Sequence, residues 1–291
     1  TLNESLEYTK NTNKTFIHPF DDEDVIDGQA TIGYEINKQC RKKGFIPDYI
    51  LTCVGGGGLI AGISNYFMGI SHGPIIYGVE PMGAASMHTA LKHEKPIDIG
   101  DIDKFVDGAS VSKVGELPFN ICQNNTNIFD IFLANNELIS HELINCYQDD
   151  GIILEPAGAL SICGLSELSE KIDLKHKNIV CVLSGGNNDI SRYNEIMELN
   201  LNYLGLKHYF LVKFIQKPGQ LKTFITEVLG SNDDITRFEY IKKTNKQYGD
   251  VLIGIELSNK EDLSHFITNL YNNNFIYQKL EEDDLVYNLL V

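Results

Sequence analysis

Tyr49-Ile50-Leu51-Thr52-Cys53-Val54-Gly55-Gly56-Gly57-Gly58-Leu59-Ile60-Ala61-Gly62 decides the fold. The first six residues form an apolar run of strand length, and the stretch from Leu59 to Met68 continues at helical length. Between them stand four glycines. A strand that stops at glycines and opens into a helix presents several backbone N–H groups together with the positive end of a helix dipole, so an anion such as a phosphate is its natural occupant. Glycine permits the close approach and the positive φ values that such a turn needs. A ligand-free turn is the bland alternative, but four glycines cost more conformational entropy than a mere turn requires. The glycine spacing disfavours a dinucleotide site. Gly55 and Gly57 fit the first two positions of G-x-G-x-x-G, the third falls on Ile60, and Gly62 comes two places late, although the strand Ile75–Val79 does end at an acid, Glu80. No Gly-Lys-Ser/Thr follows, which excludes a Walker loop.

A second glycine site lies downstream. Asn178 to Leu183 reads as a buried strand and ends in Ser184-Gly185-Gly186-Asn187-Asn188, while Glu155-Pro156-Ala157-Gly158-Ala159 opens another helical stretch between the two. The ordered set GGGGL, Val79-Glu80-Pro81, EPAGA and SGGN resembles pyridoxal-phosphate enzymes of the tryptophan-synthase-β fold type, and within them the biosynthetic threonine dehydratases. Thr15-Phe16-Ile17-His18-Pro19-Phe20-Asp21-Asp22, Gly28-Gln29-Ala30-Thr31 and Asp107-Gly108-Ala109-Ser110-Val111 extend the resemblance over nearly the whole chain. One departure stands out. The family carries its cofactor on a lysine in a Ser-x-Lys-x-Arg-Gly segment, and no such segment occurs here; Ser112-Lys113-Val114-Gly115 is a superficial match on the wrong side of the glycine loop. The chain is therefore expected to be the C-terminal portion of a longer protein, inactive alone, with its catalytic Schiff-base lysine elsewhere.

Composition is consistent with a cytoplasmic enzyme of two domains. The 291 residues can bury a sizeable core, no apolar run has bilayer-spanning length, and no signal peptide is evident. The net charge of −16 argues against nucleic acid and anionic membranes as partners. Residues 204–291 hold 12 acidic and 10 basic side chains, so nearly all of the excess lies in the preceding part. The six cysteines form no C-x-x-C pair and read as reduced core thiols, and the eight histidines show no ligand spacing, so no metal site is expected.

Within a first domain of residues 1–203, residues 15–203 alternate helical and strand patterns, with acids Asp21 to Asp24 opening a helix that Gly44 ends and strands near 49–54, 75–79, 129–133 and 179–183. The pattern predicts an α/β layered domain with a largely parallel sheet, incomplete at its N-terminus, and a ligand at the carboxyl ends of the strands. From residue 204 to 291 the order becomes β-α-β-β-α-β: strands His208–Ile215, Ile235–Lys242, Asp250–Leu257 and Leu285–Leu290, and helices from Pro218 through Val228 and from Glu261 to Tyr271. That order predicts a ferredoxin-like α+β sandwich. Its Pro218-Gly219-Gln220-Leu221 entry and Asp234 to Phe238 resemble the ACT-like regulatory domain of threonine dehydratases.

The resemblance implies roles. Gly55, Gly56, Gly57, Gly58 and Leu59 would hold the phosphate of pyridoxal 5′-phosphate through their amides. Ser184 would meet the pyridine nitrogen, or else cap the following helix. Glu155 is either support near the ring or a helix-start acid. Glu80 resembles an acid that helps to hold a cation in related enzymes, but Ser86 stands where an acid would complete that pattern, so a strand-end acid is preferred. Gln29 and Asp107 are read as structural. The implied substrate is L-threonine, the product 2-oxobutanoate, and the implied effector isoleucine, with valine second, at Pro218, Gly219, Leu221 and Phe224. A homodimer or homotetramer is expected. A serine dehydratase or racemase shares the catalytic motifs, and a non-catalytic amino-acid-binding module is the alternative from another class; a fused sandwich favours the feedback-regulated enzyme.

Overall fold

The computed structural model describes residues 2–240, 246–281 and 287. Contacts divide the chain into two compact units, one up to Arg192 and one from Tyr193. The first unit contains helices α1 (Leu2–Thr12), α2 (Glu23–Lys42), α3 (Gly58–Met68), α4 (Ser86–His93), α5 (Glu116–Asn124), α6 (Asn136–Asp150) and α7 (Pro156–Lys171). Its strands are β1 (Tyr49–Cys53), β2 (Ile75–Pro81), β3 (Ile128–Ala134) and β4 (Ile179–Cys181). They form one parallel sheet in the order β3-β2-β1-β4, as the alternating pattern predicts.

Strand order explains where a ligand can go. The chain steps outward from β1 to β2 to β3, then returns to add β4 on the other side of β1. The two directions of winding part between β1 and β4, and that is where a crevice opens at the carboxyl ends of parallel strands. Tyr49 pairs with Ile179 and Leu51 with Cys181, and Val182 N–H still reaches Leu51 O at 2.9 Å. Beyond this point the chains part. The fourth strand is shorter than the predicted 179–183, because Gly185 (φ +83°) turns the chain immediately after Ser184.

Local chemistry sets the helices that flank the crevice. The Asp22 side chain accepts the N–H groups of Asp24 and Val25 to start α2, and Gly44 (φ +87°) ends it. Two glycines then let α2 and α3 touch. A Cβ on Gly62 would run into Ile26 O and lie 2.6 Å from Gln29 Cβ, and one on Gly33 would lie 2.9 Å from Tyr66 Cβ. Gln29 is thus structural, and α3 is held with its N-terminus at the crevice. Ile50, Ile60, Ile63, Phe67, Ile76 and Met87 are fully buried around it.

The second unit contains α8 (Tyr193–Tyr203), β5 (Lys207–Ile215), α9 (Gln220–Thr223), β6 (Asp234–Tyr240), β7 (Tyr248–Glu256), α10 (Asp262–Asn272) and β8 (Ile276–Leu280). Its antiparallel sheet runs β6-β7-β5-β8, the ferredoxin-like arrangement. Among the described residues β8 closes the sheet beside β5; the predicted strand 285–290, apart from Tyr287, lies outside the described residues, as do 241 and 242 of the second predicted strand. Asn274 (φ +59°) turns the chain after α10, and Ile276-Tyr277-Gln278-Lys279-Leu280 alternates between the two sheet faces. The helix predicted from Pro218 through Val228 is α9 followed by a π-helical turn, Phe224–Val228. Contacts group α8 with this unit, ahead of the division at 203/204 expected from sequence, because Glu198 accepts from Tyr209 Oη and pairs with Lys207 Nζ at 3.3 Å.

One predicted effector contact is corrected here. Phe224 is fully buried, packed among Phe214, Phe266 and Phe275, and so is core. Phe224→Ala should lower the stability of the second unit by about 3–5 kcal/mol, read as a lower urea midpoint; a near-neutral change would return Phe224 to a surface role.

Candidate functional site

The glycine turn fills the mouth between β1 and β4. Gly57 (φ +93°) is the N-cap of α3 and provides no side-chain hydrogen bond, so the first turn of this helix is uncapped. After Val54 N–H, which reaches Val79 O, the next donor in this stretch is Ala61 N–H to Gly57 O; the amides of Gly55 to Leu59 have no acceptor among the described residues. Buried or half-buried amides without partners are costly unless something outside the chain satisfies them.

The opposite side of the turn explains why glycine is required at each position. A Cβ on Gly55 would lie 2.9 Å from Ala109 Cα, one on Gly56 would enter the Phe20 ring, and one on Gly58 would lie 3.1 Å from Phe20 Cβ. Phe20 is itself held, since His18 Nδ1 accepts Asp21 N–H at 2.9 Å and Asp21 Oδ1 accepts Leu117 N–H at 2.8 Å. Gly115 N–H then ties the carbonyl of Gly56 at 3.1 Å. The glycines thus let the turn sink against neighbouring backbone while its amides stay available.

Across the crevice, Ser184 Oγ lies 3.2 Å from Cys53 Sγ, at the end of β1. This contact joins the two glycine sites. Glu155 precedes α7 at its N-cap, yet its side chain makes no cap hydrogen bond. It accepts Asn187 N–H at 3.2 Å instead, while its own N–H reaches Gly185 O at 3.3 Å. A Cβ on Gly108 would lie 2.9 Å from Glu155 Oε1, and one on Gly158 would meet Ser184 O. Glu155 therefore braces the Ser184–Asn187 loop against the Gly108–Ala109 turn, and Ala109 in turn packs on Gly55. Asp107 is structural: its Oδ1 accepts Gly108 N–H and lies 3.6 Å from Arg192, whose Nη2 also donates to Phe105 O at 2.6 Å.

Glu80 is fully buried at the end of β2 and serves α4. Its carboxylate accepts Met87 N–H at 2.7 Å and His88 N–H at 2.8 Å, a charge-assisted cap on a helix whose Met87 side chain packs beside Gly57. Burial pushes the Glu80 carboxyl up to about 7, against the pull of those two amides and the Ser86 hydroxyl.

Gly55 to Gly58, Leu59, Ser184 and Glu155 are thus gathered near the carboxyl ends of β1 and β4. Pro218, Gly219, Leu221 and Phe224 belong to the second unit; Gly219 (φ +92°) starts α9 and Leu221 is 43% exposed. Sequence reasoning missed the role of Cys53, read as a core thiol. All six cysteines are free thiols, but Cys53 is half-buried and bonded to Ser184. Its position two residues before Gly55, on the strand that carries the turn, was the available signal. No described helix is long and apolar enough to cross a membrane.

Comparison with known proteins agrees with this geometry. Residues 2–185 match the family model described as pyridoxal-phosphate dependent enzyme, and residues 198–290 match the C-terminal regulatory domain of threonine dehydratase. The chain is 47% identical over 290 residues to the biosynthetic L-threonine dehydratase of Halalkalibacterium halodurans, covering 100% of this chain and 68% of that protein. It is 43% identical to the Bacillus subtilis counterpart, covering 96% of this chain and 64% of that one. Among solved structures, the processed form of threonine deaminase isoform 2 from Solanum lycopersicum is similar, with a TM-score of 0.63 and 39% identity over 67% of this chain and 55% of that one.

The buried acid yields a test of the site's framework. Glu80 has a folded-state pKa raised above its unfolded value, so the folded chain binds the proton more tightly and stability falls as pH rises from about 4.5 to about 7. In Glu80→Gln that contribution, on the order of 3 kcal/mol across the window, should disappear. Urea midpoints at a series of pH values check this, and parallel pH profiles for the two proteins would show that Glu80 titrates normally.

Proposed function

We propose, for a chain that belongs to the biosynthetic threonine dehydratase family of pyridoxal-phosphate enzymes, that the whole protein converts L-threonine to 2-oxobutanoate and ammonia. What supports this most is one juxtaposition: unpartnered amides at Gly55 to Leu59 on one side of the crevice, and the Ser184 hydroxyl, held against Cys53, on the other. The residues fit pyridoxal phosphate. The turn offers its amides to a phosphate dianion at a helix N-terminus, and Ser184 offers a neutral hydroxyl to a pyridine nitrogen. The chemistry that the cofactor supplies is an electron sink conjugated with the substrate's amino group, which acidifies Cα–H and lets a β-hydroxyl depart.

This chain's own residues bind and orient. Gly55 to Leu59 would hold the cofactor phosphate through their amides. Ser184 sets the protonation state of the ring nitrogen: a hydroxyl, unlike a carboxylate, leaves it largely unprotonated, which suits elimination better than transamination. Glu155 keeps Ser184 in place through the Asn187 amide. The second unit is proposed to bind isoleucine, with valine second, and to lower activity when it does; its match to a threonine dehydratase regulatory domain supports this. We place the protein in the cytoplasm as a homodimer or homotetramer.

Two measurements test these assignments in the whole protein. Ser184→Asp should raise the pKa of the ring nitrogen and slow threonine deamination by about tenfold or more, equivalent to roughly 1.4 kcal/mol in the barrier. Cofactor affinity should change little, because the phosphate is held at the glycine turn. Unchanged kinetics would remove Ser184 from the ring. Calorimetric titration with isoleucine should show binding that a substrate analogue weakens, by the same factor that isoleucine weakens the analogue; no heat, or binding indifferent to the analogue, would leave the second unit an assembly element.

A further inference from the structure

Cys53, the last residue of β1, and Ser184, which follows the neighbouring parallel strand β4, are 131 residues apart in sequence and 3.2 Å apart at the Sγ···Oγ contact. We propose that Cys53 is a positioning residue: its thiol donates to Ser184 Oγ and so aims the serine's own O–H at the pyridine nitrogen. This rests on the reading of Ser184 as the ring's partner. A serine hydroxyl has one hydrogen and two lone pairs and rotates freely about its Cβ–Oγ bond. Left alone, it can donate to the thiol or to the ring. The donor at Cys53 resolves the choice, because a hydroxyl that already accepts a hydrogen on the β1 side has its own hydrogen free for the other side.

The surroundings keep that thiol protonated. Burial raises the Cys53 pKa, and the Glu155 carboxylate raises it further, against the pull of Ser184 itself. A thiolate at this position would accept from Ser184 and turn the serine hydrogen away from the ring. Cys53 also stands two residues before Gly55 on a strand buried in the sheet, so its distance from the glycine turn is fixed by β1. One strand end therefore sets both anchor points of the cofactor: phosphate through the amides, and ring nitrogen through the thiol and Ser184.

The experiment uses 4-deoxypyridoxine 5′-phosphate, which has no aldehyde and so reports non-covalent binding by the 291-residue chain. Its ring absorbance over a pH series gives the protonation of the bound nitrogen. In Cys53→Ala the apparent pKa of the bound ring should move up toward its free value, and affinity should fall about threefold to fivefold. Cys53→Val, which fills the volume without a donor, should match Ala; Cys53→Ser, which restores a donor, should return to the parent values. In a Ser184→Ala background, Cys53→Ala should add nothing. If Ser184→Ala moves the ring pKa while Cys53→Ala and Cys53→Val do not, or if the effect of Cys53→Ala persists in that background, the positioning role is overturned and the Ser184 reading stands. If Ser184→Ala leaves the ring unmoved, the Ser184 reading falls, and this inference with it.

Discussion

Backbone amides at the end of β1, with no acceptor among the described residues, are the constraint on which the rest of the first unit depends. A chain that buries unpaired donors loses stability unless an anion satisfies them, so the fold is organised to offer those amides at one point. The parallel sheet supplies the point. Its order reverses between β1 and β4, the switch point at whose carboxyl ends open α/β sheets bind their ligands. Phe20, Ala109, Pro118 and Met87 pack against the Cα atoms of the glycine turn, and Gly115 N–H takes the Gly56 carbonyl, while the turn's own amides stay available.

Much of this was legible in the sequence. An apolar run that ends in four glycines and opens into a helical stretch can be little else than a strand, a turn and a helix N-terminus, and β1 and α3 have those bounds within one residue. Strand β2 was equally plain, because a buried parallel strand is a nearly continuous apolar run, and β3 breaks such a run only at Asp130. What periodicity does not carry is which strand lies next to which. The adjacency of β1 and β4, and with it the Cys53–Ser184 contact, depends on a long-range crossover.

The misses have similar physical causes. The strand β8 escapes the sequence pattern because it is half-exposed and its Gln278 and Lys279 dilute the apolar signal. Phe224 looked available beside an exposed Pro-Gly turn, but the first turn after it winds as a π-helix and carries the ring inward among Phe214, Phe266 and Phe275. Glu155 had been poised between a cap and ring support. Its side chain makes no cap hydrogen bond; it takes the amide of Asn187 and so stiffens the loop that carries Ser184.

The central claim is that the amides of Gly55 to Leu59 receive a phosphate. The most direct measurement is the amide ¹⁵N–¹H spectrum of the 291-residue chain titrated with pyridoxine 5′-phosphate and, separately, with pyridoxine. The phosphate ester should shift the Gly55 to Leu59 amide protons strongly downfield, as donors to an anion do, and the unphosphorylated compound should leave them nearly unmoved. Saturable binding of the ester with those five resonances unchanged would contradict the assignment of the glycine turn.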